Sequence, residues 1–383
     1  MELSVVIPCL NEQDTISVCV EKARSIMTEH EIEGEVIVAD NGSSDQSIDL
    51  AETRGARIVR VTKKGYGNAL MGGIEASRGR FVLIGDADDS YDFLEIPKFI
   101  RKLREGFELV QGCRLPSGGG TVLPGAMPFS HRWLGNPMLT MLVRVFFKAP
   151  IHDVYCGMRG FTKELYGRLD QRCTGMEFAT EMIIKATFQR ASIAEVPITL
   201  HPDGRVTRSP HLRTMRDGWR TLRFFLLLSP FWLFHVPGLI LSIIGLAGYA
   251  VALPGVTIGS ATFGGNTLMV ASFLLLVGFE SMLFGLYADL FAMIEKIRPP
   301  GPLLTIFWRL FRLEWGLIAG ATMLVIGAVV VGIEFLRWMQ AGFGPLEYSV
   351  SLRRVIPGTT LSLLGFQTVI GSFLISIETL QRK

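Results

Sequence analysis

Short apolar runs open the chain at regular intervals, and each is followed by a stretch with helical spacing. Leu3–Pro8 (LSVVIP), Glu35–Asp40 (EVIVAD), Arg57–Val61 and Phe81–Gly85 (FVLIG) read as strands. Glu12–His30, Asp45–Arg54 and Gly67–Ser77 read as the helices between them. Strands that are apolar throughout and alternate with helices predict a parallel sheet covered on both faces. Ligands of such sheets bind beyond the carboxyl ends of the strands, so the polar residues after each run are the first place to look.

After Arg223 the pattern changes to long apolar helices. Phe224 to Phe279 contains no Asp, Glu, Lys or Arg. A hydrocarbon core needs about 20 apolar residues per helix, so this run holds two spans. Spans are expected near 231–254, 266–290, 315–336 and 356–379. The loop after the first span carries no basic residue, whereas the next connection carries Lys296, Arg298, Arg309 and Arg312. By the positive-inside rule that connection and the N-terminal domain face the cytosol, although Arg353 and Arg354 then fall outside. Leu303–Trp315 mixes apolar and basic residues, as an interfacial helix would. The expected division is a first domain over 1–228, ending in a basic juxtamembrane helix, and a transmembrane domain over 229–383.

Composition sharpens this picture only locally. Over all 383 residues, 49% are hydrophobic and 19% charged, and the net charge is +3. The five cysteines include no C-x-x-C pair and their number is odd, which points to reduced thiols in a cytosolic compartment. Met1-Glu2 and the short run ended by Pro8 do not make a signal peptide. No nucleic-acid partner is expected, and a homo-oligomer is left open.

The strongest chemical signal is Asp86-Ala87-Asp88, directly after the fourth strand. In an extended chain, residues two apart point the same way, so both carboxylates converge. Two hard oxygen donors plus phosphate oxygens suit Mg²⁺ or Mn²⁺, and such a cation neutralises a departing diphosphate. A solvated acidic turn is the bland alternative, and placement at a strand end argues against it. Asn11-Glu12 follows the first strand and Asp40 the second. Asp40 suits a base or ribose, while Asn11, Ser44 and Asp45 also suit helix caps. Lys63-Lys64-Gly65-Tyr66-Gly67-Asn68 precedes the third helix, and glycines, lysines and a helix N-terminus together favour phosphate. Leu70 stands where G-x-G-x-x-G needs its last glycine, and no G-x-x-x-x-G-K-[ST] loop occurs. Dinucleotide redox chemistry and ATP hydrolysis are therefore set aside. His152 and His201 are isolated, and Glu280 and Asp289 lie inside the second span without a partner visible in sequence.

Taken in order, Pro8 to Glu12 (P-x-x-N-E), Asp40 to Asp45, Gly65 to Ala69 and Asp86-Ala87-Asp88 resemble glycosyltransferase family 2, and more narrowly the polyprenyl-phosphate sugar synthases. Gly112-Cys113-Arg114, Asp153 to Arg159, Glu177 to Glu181 and Arg205 to Arg208 continue the resemblance, which covers roughly the first 225 residues. It implies an α/β GT-A (Rossmann-like) catalytic domain joined to a C-terminal α-helical transmembrane domain. It also implies a divalent metal, inverting transfer from a UDP- or GDP-sugar, and a polyprenyl-phosphate acceptor at the cytosolic face of the membrane. Residue by residue, Pro8, Asn11, Glu12, Asp40, Lys64, Gly67, Ala87 and Arg114 would bind the donor. Asp86 and Asp88 would be the catalytic, metal-facing pair. Arg132, Asp153, Arg159, Glu181, Arg205 and Arg208 would serve acceptor or phosphate. Ser90 stands where better-known members often place Gln, and Glu177 where some carry Lys.

Chemistry supports the acceptor that the resemblance implies. A phosphate monoester is largely ionised near neutral pH, its second pKa being about 6, so it needs cations rather than a base. Arg213, Arg216, Arg220 and Arg223 are spaced three, four and three apart and share a helix face. They suit lipid headgroups and topology, while Arg205 and Arg208, further upstream, suit the site itself. A processive polysaccharide synthase would carry Q-x-x-R-W, but neither Arg132-Trp133 nor Arg337-Trp338 has Gln three positions before the Arg. A transporter or scaffold with a degenerate head would have lost Asp86 or Asp88.

Overall fold

The structure, a computed structural model, describes residues 1–206, 214–294 and 313–380. Arg208, Arg213, the connection with Lys296, Arg298, Arg309 and Arg312, most of Leu303–Trp315 and the side chain of Arg216 lie outside the described residues. The chain divides into two compact units, Met1–Phe225 and Leu226–Lys383.

In the first unit, β1 (Leu3–Cys9), α1 (Ile16–Glu29), β2 (Gly34–Asp40), α2 (Ser47–Thr53), β3 (Arg57–Arg60), α3 (Tyr66–Ala76) and β4 (Phe81–Ile84) alternate as expected. Each helix begins or ends a few residues away from the expected limits. The reading stops short of α4 (Ile96–Arg104), β5 (Leu109–Cys113), β6 (Thr121–Val122), α5 (Asn136–Phe147), β7 (Arg159–Thr162), α6 (Lys163–Leu169), α7 (Phe178–Phe188), β8 (Ile193–Pro197), β9 (Thr199–Leu200) and α8 (Thr214–Leu228). The main sheet runs β3-β2-β1-β4-β7-β5-β8. The four expected strands pair in parallel, as their pattern predicts, and the later β7 makes the whole sheet mixed. β7 lies antiparallel to β4 and β5, while the other described pairings in this sheet are parallel. The short strand Arg-Gly-Phe-Thr carries no apolar run that would announce it.

β1 and β4 sit in the middle and are buried almost throughout, which is why they read as unbroken apolar runs. Helices cover them through apolar stripes. α4 buries Ile96, Phe99, Ile100 and Leu103, spaced as one helical face, and leaves Arg101, Lys102 and Arg104 for its last turn. Because β1 pairs with both β2 and β4, the carboxyl ends of these three strands lie side by side. Asn11-Glu12, Asp40-Asn41 and Asp86 to Asp88 are thus gathered at one edge.

The second unit contains four helices long and apolar enough to cross a bilayer: Phe231–Ala252, Gly265–Ile294, Leu313–Gln340 and Tyr348–Ile377. Small residues let them approach. A Cβ on Gly278 would stand 2.6 Å from the Gly238 carbonyl, and one on Gly365 would stand 2.5 Å from the Gly320 carbonyl. The fourth helix starts earlier than expected, so Arg353 and Arg354 belong to its first turns. Arg354 and Arg337 share the carboxylate of Glu334, each at 3.3 Å, and the Arg353 guanidinium lies against Gly255. Asp289, without a visible partner in sequence, meets the His235 ring at 3.2 Å.

Candidate active site

The loop after β1 is tied to the loop after β2. Asn11 adopts a positive φ of 60°. Its side-chain oxygen accepts from the Ser44 amide at 2.7 Å, and its own amide donates to Ser43 Oγ at 3.0 Å. Asp40 is buried and accepts from the Ser43 amide at 2.8 Å, which fixes that turn. Asn41 then fastens the loop after β3: it donates to the carbonyls of Val61 and Lys63 and accepts from the Gly65 amide at 2.8 Å. Pro8 lies opposite Ala39 in the ladder. The buried Ala87 turns its carbonyl inward to the Thr15 hydroxyl at 2.6 Å. These residues therefore shape the floor.

The loop before α3, expected to face phosphate, is packed against the 173–174 loop. The Gly67 and Asn68 amides donate to the Thr174 carbonyl at 2.9 and 3.4 Å, so this helix N-terminus already has its acceptor. A Cβ on Gly67 would stand 2.3 Å from the Cys173 carbonyl. Close backbone packing accounts for a glycine at this position. Lys64 is exposed and donates to the Asn41 carbonyl at 2.6 Å.

Asp86 and Asp88 stand beyond β4. The Tyr66 hydroxyl donates to Asp86 Oδ1 at 2.8 Å, and a Cβ on Gly157 would stand 2.5 Å from Asp86 Oδ2. Burial first, and the Asp88 charge second, push the Asp86 carboxyl up to about 6. Burial, with Asp86 beside it, also drives the Tyr66 phenol well above its usual range, so it stays a proton donor. Asp88 Oδ1 accepts from the Ser90 amide and hydroxyl, at 3.1 and 2.6 Å. Ser90 thus holds the carboxylate from behind.

Arg205 reaches this edge because its segment runs back across the Asp88 turn. Tyr91 bridges to Leu200, and the His201 and Gly204 amides donate to the carbonyls of Ser90 and Asp88 at 2.9 Å each. Its guanidinium forks onto Glu12 at 2.6 and 2.7 Å, touches Asp203 at 2.9 Å and lies 3.5 Å from Asp88 Oδ2. Burial opposes its charge, but the Glu12 hydrogen bonds and the charges of Asp88, Glu12 and Asp203 outweigh it and hold the arginine firmly protonated. One cation therefore sits among three carboxylates.

Four residues expected to meet donor, acceptor or phosphate have partners within the protein. Arg114 is buried, forks onto the fully buried Asp153 at 2.7 and 2.9 Å, and donates to the Tyr91 hydroxyl at 3.3 Å. That hydroxyl accepts the Gly157 amide at 2.8 Å. The fully buried Arg159 donates to the carbonyls of Cys156 and Ala179. Glu181 accepts the amides of Arg172 and Cys173 and pairs with Lys185 at 2.7 Å. Groups so engaged hold the Asp86 surroundings and the 172–174 loop in place. Arg132 lies over the Trp133 ring, 5.3 Å from its centroid, and no ion pair among the described residues joins it to the carboxylates.

The donor set fits a divalent cation in one way only. No group of three His, Cys, Asp or Glu side chains is gathered for a metal among the described residues. Asp86 and Asp88 offer two carboxylates whose mutual repulsion a cation would relieve, so the remaining ligands would have to be substrate phosphates and water. Tyr66, Asn41 and Tyr91 are the residues that sequence reading misses. Tyr66 carries a faint signal, because it sits between two glycines just ahead of a helix.

The family model described as glycosyl transferase family 2 matches residues 4–169, and that of the family 2 C-terminal transmembrane region matches 286–379. The low-salt glycan biosynthesis hexosyltransferase Agl6 of Haloferax volcanii is 38% identical over 97% of this chain and 88% of its own. A dolichyl-phosphate hexose transferase of the same organism is 31% identical over 51% of this chain and 82% of its own. The crystal structure of glucosyl-3-phosphoglycerate synthase from Mycobacterium tuberculosis, in complex with Mn²⁺, UDP and glucosyl-3-phosphoglycerate, aligns with a TM-score of 0.46 and 25% identity, over 59% of this chain and 78% of that one.

Proposed function

The chain belongs to glycosyltransferase family 2, with a GT-A catalytic unit and a membrane-spanning C-terminal unit, and from that premise we propose that it transfers a sugar from a UDP- or GDP-sugar to a polyprenyl phosphate at the cytosolic face of the membrane. One observation carries the reading: Asp86, Asp88, Glu12 and Arg205 converge at the carboxyl ends of β1 and β4. The dolichyl-phosphate relative supports a lipid phosphate acceptor.

The chemistry follows from charge. An acceptor phosphate oxygen attacks the anomeric carbon. The new C–O bond forms as the bond to the donor diphosphate breaks, and the configuration inverts. The acceptor is already an anion, so no general base is required. Asp86 and Asp88 would hold Mg²⁺ or Mn²⁺, which neutralises the leaving diphosphate. Asp40, at the end of β2, would take the nucleoside by hydrogen bonds to its oxygens. Arg205 supplies a fixed cation whose fork matches phosphate as well as carboxylate, and substrate phosphate would compete with Glu12 and Asp203 for it.

The test is a panel of UDP- and GDP-sugars offered to the purified full chain, with and without polyprenyl phosphate. Nucleoside diphosphate should be released only when the lipid phosphate is present. Release that is unchanged by the lipid, or a growing polysaccharide product, would overturn the reading.

A further inference from the structure

The turn between the third and fourth spans carries more positive charge than its packing requires. The third span ends at Gln340 and the fourth begins at Tyr348. Glu334, near the end of the third, is buried. Arg337 from the same helix and Arg354 from the next each donate to its Oε2 at 3.3 Å. One cation is enough to neutralise one carboxylate, so the second guanidinium is surplus. The contacts are also loose. Each arginine uses a single nitrogen, and neither has another hydrogen bond among the described residues. Arg205 and Arg114, by contrast, fork onto their carboxylates at 2.6–2.9 Å. Arg337 and Arg354 therefore keep most of their N–H donors open, and their side chains are nearly half exposed, at 47% and 44%.

Depth and charge say what those donors meet. Trp338 packs edge-on against Phe343 at 5.0 Å, and Tyr348 is exposed at the start of the fourth span. Trp and Tyr gather at headgroup level, so this turn marks a membrane boundary. Arg353 turns the other way, onto Gly255 in the turn between the first and second spans, and its Nε finds no acceptor among the described residues. Both turns thus belong to one rim of the second unit, at the opposite ends of the spans from the basic 295–312 connection. On this rim Arg337, Arg353 and Arg354 face Glu334 and Glu347, three cations against two anions, which leaves a net charge of +1. The turn after the first span adds no charge. The positive-inside rule disfavours arginine on such a rim, so an anion there has to answer the surplus. A guanidinium fork matches phosphate, and a phosphodiester carries one negative charge and lies at headgroup depth on an anionic lipid.

We propose that Arg337 and Arg354 bind the phosphodiester of an anionic lipid in the leaflet at this rim, with Glu334 keeping the two guanidiniums side by side. Arg353 adds charge from the neighbouring turn. The inference uses neither the sugar donor nor the metal, so it can fail while the proposed reaction stands.

The test uses the full chain, delipidated in a neutral detergent and followed by native mass spectrometry as phosphatidylglycerol is added. Arginines near the other rim also hold lipid, so the reading is the difference between parent and variant in the stepwise affinities. Arg354→Gln should weaken one step about tenfold, the loss expected for a charge-assisted contact. Phosphatidylcholine, which has no net charge, should bind parent and variant alike. Glu334→Gln removes the competing charge and keeps the shape, so phosphatidylglycerol should bind it several-fold more tightly than the parent. A cluster that served only to bury Glu334 predicts no such gain, and equal affinity of parent and Glu334→Gln would overturn the proposal. So would an unchanged affinity in Arg354→Gln. Millimolar inorganic phosphate should leave the lipid bound. Displacement at that concentration would make this a site for the free ion and overturn the lipid assignment.

Discussion

At the scale of single residues, the site is a balance of buried charges. Asp88→Ala removes a carboxylate that Ser90 holds and Arg205 approaches. Transfer should fall by about 10²–10³ or more, as at other preorganised electrostatic sites. Turnover near that of the parent, with metal present, would rule the assignment out. Tyr66→Phe deletes the hydroxyl that orients Asp86. With Asp86 holding the metal as proposed, loss of a hydrogen-bond partner of the ligand typically costs 10–100-fold in metal affinity, so Mn²⁺ binding followed by electron paramagnetic resonance should weaken by about that factor. Unaltered Mn²⁺ affinity would reduce Tyr66 to packing. Arg205→Lys keeps the charge but loses the fork onto Glu12. It should lower turnover or raise the apparent KM for acceptor strongly, whereas Arg220→Lys, on the exposed face of α8, should change either little. Equal small effects of the two would sink the distinction.

At the scale of elements, close packing decides what sequence can announce. The strands β1, β2 and β4 are legible because burial on both faces makes them apolar throughout. β7 is not, since Arg159 is buried by pairing with backbone carbonyls and Gly160 lies against Phe99 and Leu103. The carboxylates of the site can be read from their place after strands. The pairing of Arg205 with Glu12 cannot, because it depends on a long-range return of the chain past Asp88. Nor can the engagement of Arg114 with Asp153, since an isolated arginine in a motif looks the same whether its partner is a phosphate or a buried aspartate. Gly67 shows the same limit: its reason is the carbonyl of Cys173, far along the chain. Gly67→Ala should therefore destabilise the unit by about 1–3 kcal/mol through overpacking, measurable as a lower Tm. A Tm equal to that of the parent would contradict so tight a contact.

At the scale of the whole molecule, the four apolar helices make this an integral membrane protein, and the basic connection between the second and third spans argues for cytosolic termini. A cysteine at Ser260, between the first and second spans, should react with an impermeant maleimide added to intact cells, and a tag after Lys383 should stay hidden from an external antibody. The reverse pattern would invert the topology and move the acceptor to the other leaflet.

The strand order has a consequence for how the chain is made. β5 never touches β4, because β7 lies between them and is synthesised some fifty residues after β5 begins. While the ribosome works through the 114–158 region, Phe81–Ile84 and Leu109–Cys113 each keep a bare apolar edge. Such edges invite pairing with other nascent chains. Four residues, Arg159–Thr162, close both at once, and with them arrives the buried Arg159. Nascent chains stalled before this strand should be captured by chaperones and cut readily by protease. Chains stalled after β8, which closes the other edge of β5, should not, once both strands are clear of the ribosome.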